Sequence, residues 1–318
     1  MSRSTHLSRR RFLRLSTTLG AGLFVAPAIL RSQSPNSKLN LAFIGVAGKG
    51  ESNLKQMFSE NVVALCDVDT TRLSKAREQV EKKTGTSFQG KEYRDYRKLF
   101  DDLKDFDGVV VSTPDHHHYP ATIRALQLKK HVYCEKPLTH TIWEAREIRK
   151  AAIAAGTATQ MGNQGNASED LRLTTEWIKA GVIGAVKEAH SWSNRPIWPQ
   201  GVLWPDTADP IPESLDWDMW LGPAPQRPYF KGCHPFKWRG FWDFGTGAFG
   251  DMGCHILNWP FTALDLGAPI GAECISSEGA TKDSPPKKSV IRLDFAAKGG
   301  RGPVSVYWHD GGNLPSAE

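Results

Sequence analysis

The chain has 318 residues, 40% of them apolar and 23% charged, which is enough for two cores and too apolar for a disordered protein. Its formal charge of +6 is unevenly spread. Six of the 40 basic residues are Arg3, Arg9, Arg10, Arg11, Arg14 and Arg31, and without them 34 basic face 34 acidic residues. A neutral body gives no electrostatic case for nucleic acid or an acidic partner. The five cysteines form no CxxC pair, which argues against a disulfide framework and a cysteine metal centre.

In chain order, Ser8–Arg14 reads SRRRFLR and precedes a weakly apolar run, Leu15–Leu30, that includes Ala26-Pro27-Ala28. Paired arginines, a short hydrophobic core and small residues form the pattern of a twin-arginine export signal, assigned to residues 1–31. The run is too short and polar for a comfortable membrane span, and no cysteine follows it for lipid attachment. A periplasmic or otherwise exported protein is expected, delivered through the Tat machinery. That route carries proteins already folded, often around a cofactor.

From Lys38 strand-like and helical runs alternate. LNLAFIGV, NVVALCDVD, DGVVVSTP, HVYCEKP and TATQMGN read as apolar strands, with helices SNLKQMFSE, Thr71–Lys83, PATIRALQLKK and TIWEAREIRKAAIAAG between them. Continuously apolar strands separated by helices predict a doubly wound parallel sheet, a Rossmann dinucleotide-binding domain over residues 38–165. Gly45-Val46-Ala47-Gly48-Lys49-Gly50 occupies the first strand-to-helix turn. Gly45 and Gly50 match the outer glycines of G-x-G-x-x-G, Ala47 replaces the middle one, and the backbone through Gly48 is expected to face phosphate. Asp67 ends the second strand 22 residues after Gly45, where a carboxylate accepts ribose hydroxyls, so NAD is preferred to NADP. STPDHHHYP follows a strand at its carboxyl end. Adjacent side chains on an extended segment diverge, so the three histidines are not read as a metal site. Thr113, Pro114 and His118 are expected in a loop lining the nicotinamide end of the cleft.

After Gly165 the pattern changes. The helix EDLRLTTEWIKAG and the strand AVKEAHSWSN lead to a Pro/Trp-rich segment, Arg195–Trp242, and later strands are GAECISSEGA, KSVIRLDFAA and PVSVYWHD. Strands without helices between them predict an α+β domain with an open, mainly antiparallel sheet over residues 166–318. Eight of the eleven tryptophans lie between Trp192 and Trp259. Trp198, Trp204, Trp238 and Trp242 are candidates to line a carbohydrate cleft, with Arg239 and Asp243 bonding hydroxyls; packing of irregular loops is the alternative use of the same tryptophans.

Together, the Rossmann turn, TPDHHH, Glu135-Lys136-Pro137 after a strand, and DFGTGAFGDMGCHILN resemble the Gfo/Idh/MocA family of sugar and polyol dehydrogenases, from about Leu39 to the C-terminus. The resemblance implies a catalytic group of Lys136, Asp251 and His255. It also places Glu135, and Asn163 of GNQGN, at the cofactor, and implies a homo-oligomer. WDMWLGPAP and WRGFWDFGTG are similar to a branch common among exported members. The chemistry agrees with that catalytic group. Histidine suits proton removal near neutral pH, Lys136 would stabilise a developing alkoxide, and Asp251, four residues before His255, is expected to orient the imidazole on one helix face. Three departures stand out: Ala47, Asn258 where many members have Asp, and Pro260, expected to kink the helix that carries His255. Family members normally continue beyond this chain's last strand, so the second domain is expected to be incomplete, with an unpaired sheet edge.

The leading expectation is an NAD-dependent oxidoreductase moving hydride between a sugar, glycoside or polyol hydroxyl and a tightly held cofactor. The alternatives are an NAD-dependent glycoside hydrolase working by transient oxidation and elimination, a branch that lacks the E-K-P lysine, and a non-catalytic NAD- or sugar-binding protein.

Overall fold

The computed structural model describes residues 38–316, and the export-signal reading of residues 1–31 lies outside them. None of the described helices is long and apolar enough to cross a membrane. Six strands, β1 (Asn40–Ile44), β2 (Asn61–Cys66), β3 (Lys91–Tyr93), β4 (Gly108–Val111), β5 (His131–Glu135) and β6 (Thr159–Gly162), form a parallel sheet in the order β3-β2-β1-β4-β5-β6. Helices α1 (Lys49–Gln56), α2 (Thr70–Thr84), α3 (Tyr96–Asp102), α4 (Asp115–Gln127) and α5 (Ile142–Ala155) connect them.

The strands are apolar throughout because both faces are covered. In β1, Leu41 and Phe43 join Leu54 of α1 and Leu73, Ala76 and Val80 of α2. Ala42 and Ile44 face the other layer, with Leu99 and Phe100 of α3, Ala121 and Ala125 of α4, and Ile148 of α5. Burying each large side chain contributes about 1.5–3 kcal/mol. Local signals set the ends of the helices. Asp69 caps α2, Thr141 and Glu144 form a capping box at α5, and Gly85 and Gly156 close those two helices in the left-handed region. The strand order reverses between β1 and β4, which opens a crevice at their carboxyl ends.

The second sheet comprises β7 (Glu188–Trp192), β8 (Gly271–Glu278), β9 (Lys288–Phe295) and β10 (Val304–His309), in the order β7-β10-β9-β8. Two of its pairings are antiparallel, but β10 runs parallel to β7. The last strand is therefore an inner one, paired on both sides, and β7 and β8 are the edges of this sheet. Helices α6 (Glu169–Lys179), α7 (Trp217–Leu221), α8 (Gly247–Ile256) and α9 (Asn258–Ala263) accompany it. Pro260 does not kink the His255 helix: α8 ends at Ile256, and Pro260 sits in the first turn of α9, where it needs no N–H partner.

The Trp-rich segment is a core of its own. Trp204, Trp217, Trp220, Phe230, Trp238 and Phe244 pack together, and the segment reaches back to the β2–α2 loop. There Thr70 N–H donates to Ser214 O at 2.9 Å and Asp216 N–H to Val68 O at 3.1 Å.

Candidate active site

The cofactor turn is shaped by what cannot have a side chain. A Cβ on Gly45 (φ 79°) would lie 2.8 Å from the Ser112 carbonyl, and one on Gly50 would lie 1.9 Å from Gly45 O. Gly48 heads α1 without a side-chain cap; Gly50 N–H donates to Ala47 O at 3.0 Å, and the neighbouring first-turn N–H groups are left for a ligand. Gly45, Ala47 and Gly48 line a cavity of about 570 Å³, while Gly50 is packed beneath it. Asp67 lines the same cavity and braces the turn, its two carboxylate oxygens accepting from Val46 N–H and Asp69 N–H at 3.0 Å each. Burial raises its pKa.

From that turn the cavity passes Ser112, Thr113, Pro114 and Asp115 and reaches Lys136, Trp238, Arg239 and Asp251. Two buried oxygens on its wall, Glu135 Oε2 and Thr113 Oγ1, have no hydrogen-bond partner among the described residues. Orphaned polar atoms, a glycine cradle and an uncapped helix end fit a dinucleotide with its ribose hydroxyls.

At the far end Lys136 Nζ donates to Asp251 Oδ1 at 2.8 Å and to Asp251 O at 2.9 Å. An ammonium has three N–H groups, so one remains for the cavity. His255 lies one turn further along α8, outside the cavity lining, with Nδ1 bonded to Asn163 Oδ1 at 2.8 Å. The expected orientation of His255 by Asp251 is thus corrected: Asp251 is engaged by Lys136, and Asn163 holds the imidazole. Asn163 does not line the cavity; its amide nitrogen donates to Cys254 O at 2.7 Å. Burial, followed by the Lys136 charge, lowers the His255 pKa.

The three histidines are the first turn of α4 and not an extended loop, because Pro114 supplies the N-cap and Asp115 starts the helix. His116 and His117 both direct Nε2 at Trp220 O, at 3.0 and 2.9 Å. His118 is buried away from the cavity, its ring nitrogens 2.6 Å from Pro137 O and 2.8 Å from Thr113 O. Burial opposes charge on this ring, but Cys134 and the two carbonyls outweigh it and raise the pKa.

Sequence reasoning missed Asp115. This buried carboxyl lines the cavity and accepts from Thr246 Oγ1 at 3.0 Å, a contact across 131 residues. Burial, then the charge of Asp251, pushes its pKa up to about 7. Its position at the carboxyl end of β4 was a usable signal, obscured by the adjoining histidines.

Of the substrate candidates, Trp238 and Arg239 line the cavity. The others do not. Trp198 and Trp204 are buried, with their indole N–H groups bonded to Gln200 Oε1 and Pro228 O. Trp242 is 46% exposed elsewhere, and Asp243 pairs with Arg227 at 2.7 Å. Trp198 and Trp204 serve packing, because a segment with so little regular structure needs them as its core, and Asp243 serves the Arg227 network.

A model described as oxidoreductase family, NAD-binding Rossmann fold matches residues 39–163, and its companion, the C-terminal alpha/beta domain, matches residues 191–267. The chain belongs to the Gfo/Idh/MocA oxidoreductase family. It is 27% identical over 242 residues to a glycosyl hydrolase family 109 protein of Stenotrophomonas maltophilia, covering 73% of this chain and 50% of that one. It is 22% identical over 282 residues to inositol 2-dehydrogenase of Rubrobacter xylanophilus, covering 82% and 76%. Among solved structures, the Bordetella pertussis WlbA dehydrogenase, in complex with NADH and UDP-GlcNAcA, matches at a TM-score of 0.60 and 16% identity, with 85% and 71% coverage. The chain thus spans half the length of the glycosyl hydrolase relative, and the likeness to the WlbA dehydrogenase structure concerns the fold.

Proposed function

We propose that the protein is an NAD-dependent oxidoreductase of a sugar, glycoside or polyol hydroxyl. The carrying observation is the Lys136–Asp251 pair at 2.8 Å on the wall of the cavity that begins at the glycine turn. A bound nicotinamide supplies the hydride acceptor. The α1 N-terminus would hold the phosphates, with Gly45, whose own N–H donates to Cys66 O at 2.8 Å, allowing the tight turn beside them; Asp67 would hold the adenosine ribose, and Glu135 and Thr113 the second ribose. Asp251 fixes Lys136, whose third N–H stabilises negative charge on the substrate oxygen. His255, one turn beyond Asp251 on α8 and outside the cavity lining, would take the hydroxyl proton on Nε2 from a substrate that extends past Lys136, while Asn163 keeps the Nδ1 proton in place.

Retention of the cofactor is supported by the segment through α7. Met219, Trp220, Gly222 and Pro223 line the cavity, and Trp220 O accepts from the α4 histidines. A retained cofactor suits an exported protein that folds before transport through the Tat machinery to the periplasm. Self-association is supported by exposed apolar side chains on α5, Ile142, Trp143 and Ile153.

The test is purification of the full chain, assay for co-purifying NAD, and a screen of sugars and polyols for change in nicotinamide absorbance. Net reduction supports the dehydrogenase. The glycosyl hydrolase relative, matching 73% of the chain, favours a second outcome to be scored: glycoside cleavage without net reduction. Absence of dinucleotide binding under all conditions overturns both.

A further inference from the structure

The wall opposite the glycine turn is a guanidinium laid on an indole. Trp238 is buried, and its N–H donates to Pro235 O at 3.1 Å, so its ring is anchored. Arg239 lies over that ring at 4.3 Å from the centroid and over Phe236 at 5.2 Å. A stacked guanidinium loses rotational freedom and presents its N–H edge in a fixed plane. Stacking also covers Trp238, which therefore offers no bare face to a sugar ring.

The donors of Arg239 are sparsely used. Its one hydrogen bond among the described residues runs from Nη1 to Phe236 O at 3.4 Å, and its Nε lies 3.7 Å from Asp251 Oδ1. That carboxylate is already committed to Lys136 at 2.8 Å. The other nearby carboxyl, Asp115, is buried beside a like charge and takes up a proton near neutrality. Asp251 is held by Lys136 at 2.8 Å and is reached by Arg239 only through Nε at 3.7 Å, so the Nη groups of Arg239 at the reacting end have no carboxylate within hydrogen-bond range among the described residues. Resting on the reading of this cavity as an NAD-dependent dehydrogenase site, we propose that its substrate is a sugar acid whose carboxylate is held by Arg239. A planar oxoanion matches the fixed fork in a way that a lone hydroxyl does not. Because Arg239, Asp251 and Lys136 are consecutive neighbours, the carboxylate and the reacting hydroxyl fall within one sugar ring.

The test uses the full-length protein loaded with NAD and a panel of hexuronates against the corresponding neutral hexoses and myo-inositol. Binding is read by tryptophan fluorescence and calorimetry at low and high salt, and turnover by nicotinamide absorbance. Uronates should bind at least about tenfold tighter than their neutral counterparts, with the preference shrinking in high salt. Arg239→Gln should abolish the preference and Arg239→Lys retain part of it, both with NAD affinity unchanged within about twofold. Neutral sugars binding as well as uronates, no uronate binding, or a preference surviving in Arg239→Gln would each overturn the proposal. So would Arg239→Gln weakening NAD while sparing sugar discrimination, which would assign the guanidinium to the cofactor phosphates. Reduction of NAD by neutral sugars alone removes the acid specificity and leaves the dehydrogenase reading standing, whereas failure to bind NAD removes both.

Discussion

The side-chain oxygen of Asn163 lies 2.8 Å from His255 Nδ1, and the same amide donates to Cys254 O at 2.7 Å. The second bond sets which way the amide points, so the oxygen accepts and Nδ1 carries the proton. Nε2 is left with a lone pair. Burial and Lys136 hold the ring below its ordinary pKa of 6.5, so it is neutral at pH 7 and able to take a proton. Asn163→Asp places an anion on Nδ1 and should raise the His255 pKa by about one unit or more, moving the acid limb of kcat/KM upward. Asn163→Leu should lower kcat by about 10- to 100-fold with little effect on NAD affinity. Nitrogen NMR titration of the imidazole reads both tautomer and pKa without substrate. A wild-type ring protonated on Nε2 alone would rule out the arrangement.

Asp115 should make stability fall with rising pH. Its folded pKa of about 7 exceeds the model value of 3.8, so between those values the native state keeps a proton that the unfolded chain has released. Its contribution is therefore lost from about pH 4 upward and fully lost above about pH 7, by at most about 4 kcal/mol at 1.36 kcal/mol per unit. Asp115→Asn keeps an acceptor for Thr246 and removes the titration. Denaturant unfolding should find it equal to wild type near pH 4 and more stable, by about 1–4 kcal/mol, at pH 8. A variant less stable than wild type at pH 8 contradicts the assignment.

The Rossmann half was readable in outline because its strands are buried on both faces and its turn requires glycines at Gly45 and Gly50. The sequence reading omitted β3 and α3: a three-residue edge strand, Lys91–Tyr93, has no apolar run, and a seven-residue helix has too few turns for a period. Lys136 and Asp251 were recognisable from their motifs, but not their mutual bond, which joins residues 115 apart. His255 was expected to depend on Asp251 because helical spacing is visible in a sequence, whereas the partner it has, Asn163, lies 92 residues away. Tryptophan chemistry serves core and ligand equally well; Trp204 and Trp238 are both buried in the same cluster, and only their placement in the fold puts Trp238 on the cavity wall and Trp204 away from it.

Asp67 should exclude the 2′-phosphate of NADP. Its carboxylate lines the cavity at the end of β2, and each oxygen already accepts one backbone N–H, so it cannot swing away without releasing the Val46 turn. NAD should bind about 100-fold tighter than NADP, equivalent to about 2.7 kcal/mol. Asp67→Asn keeps one acceptor, removes the charge, and should shrink the ratio about tenfold. Fluorescence titration with the two reduced dinucleotides checks this. Equal affinities in the wild type would refute the role given to Asp67.

Gly222 should control how firmly the α7 segment holds the cofactor cleft. It follows α7 with φ 51°, and a Cβ there would lie 2.2 Å from His117 Cε1, inside a ring that is itself bonded to Trp220 O at 2.9 Å. Gly222→Ala must push His117 aside, breaking that bond and lifting the segment from α4. The expected cost is about 2–4 kcal/mol, combining left-handed strain with the clash. Gly181→Ala is the control: its φ is 77° but a Cβ there meets nothing within 4 Å, so it carries only the backbone term, about 1–2 kcal/mol. If the segment retains the dinucleotide, NAD should leave Gly222→Ala at least about tenfold faster than Gly181→Ala, in stopped-flow displacement at a temperature where both are folded. Equal release rates from the two folded variants would show that α7 packs against the cofactor domain without retaining NAD.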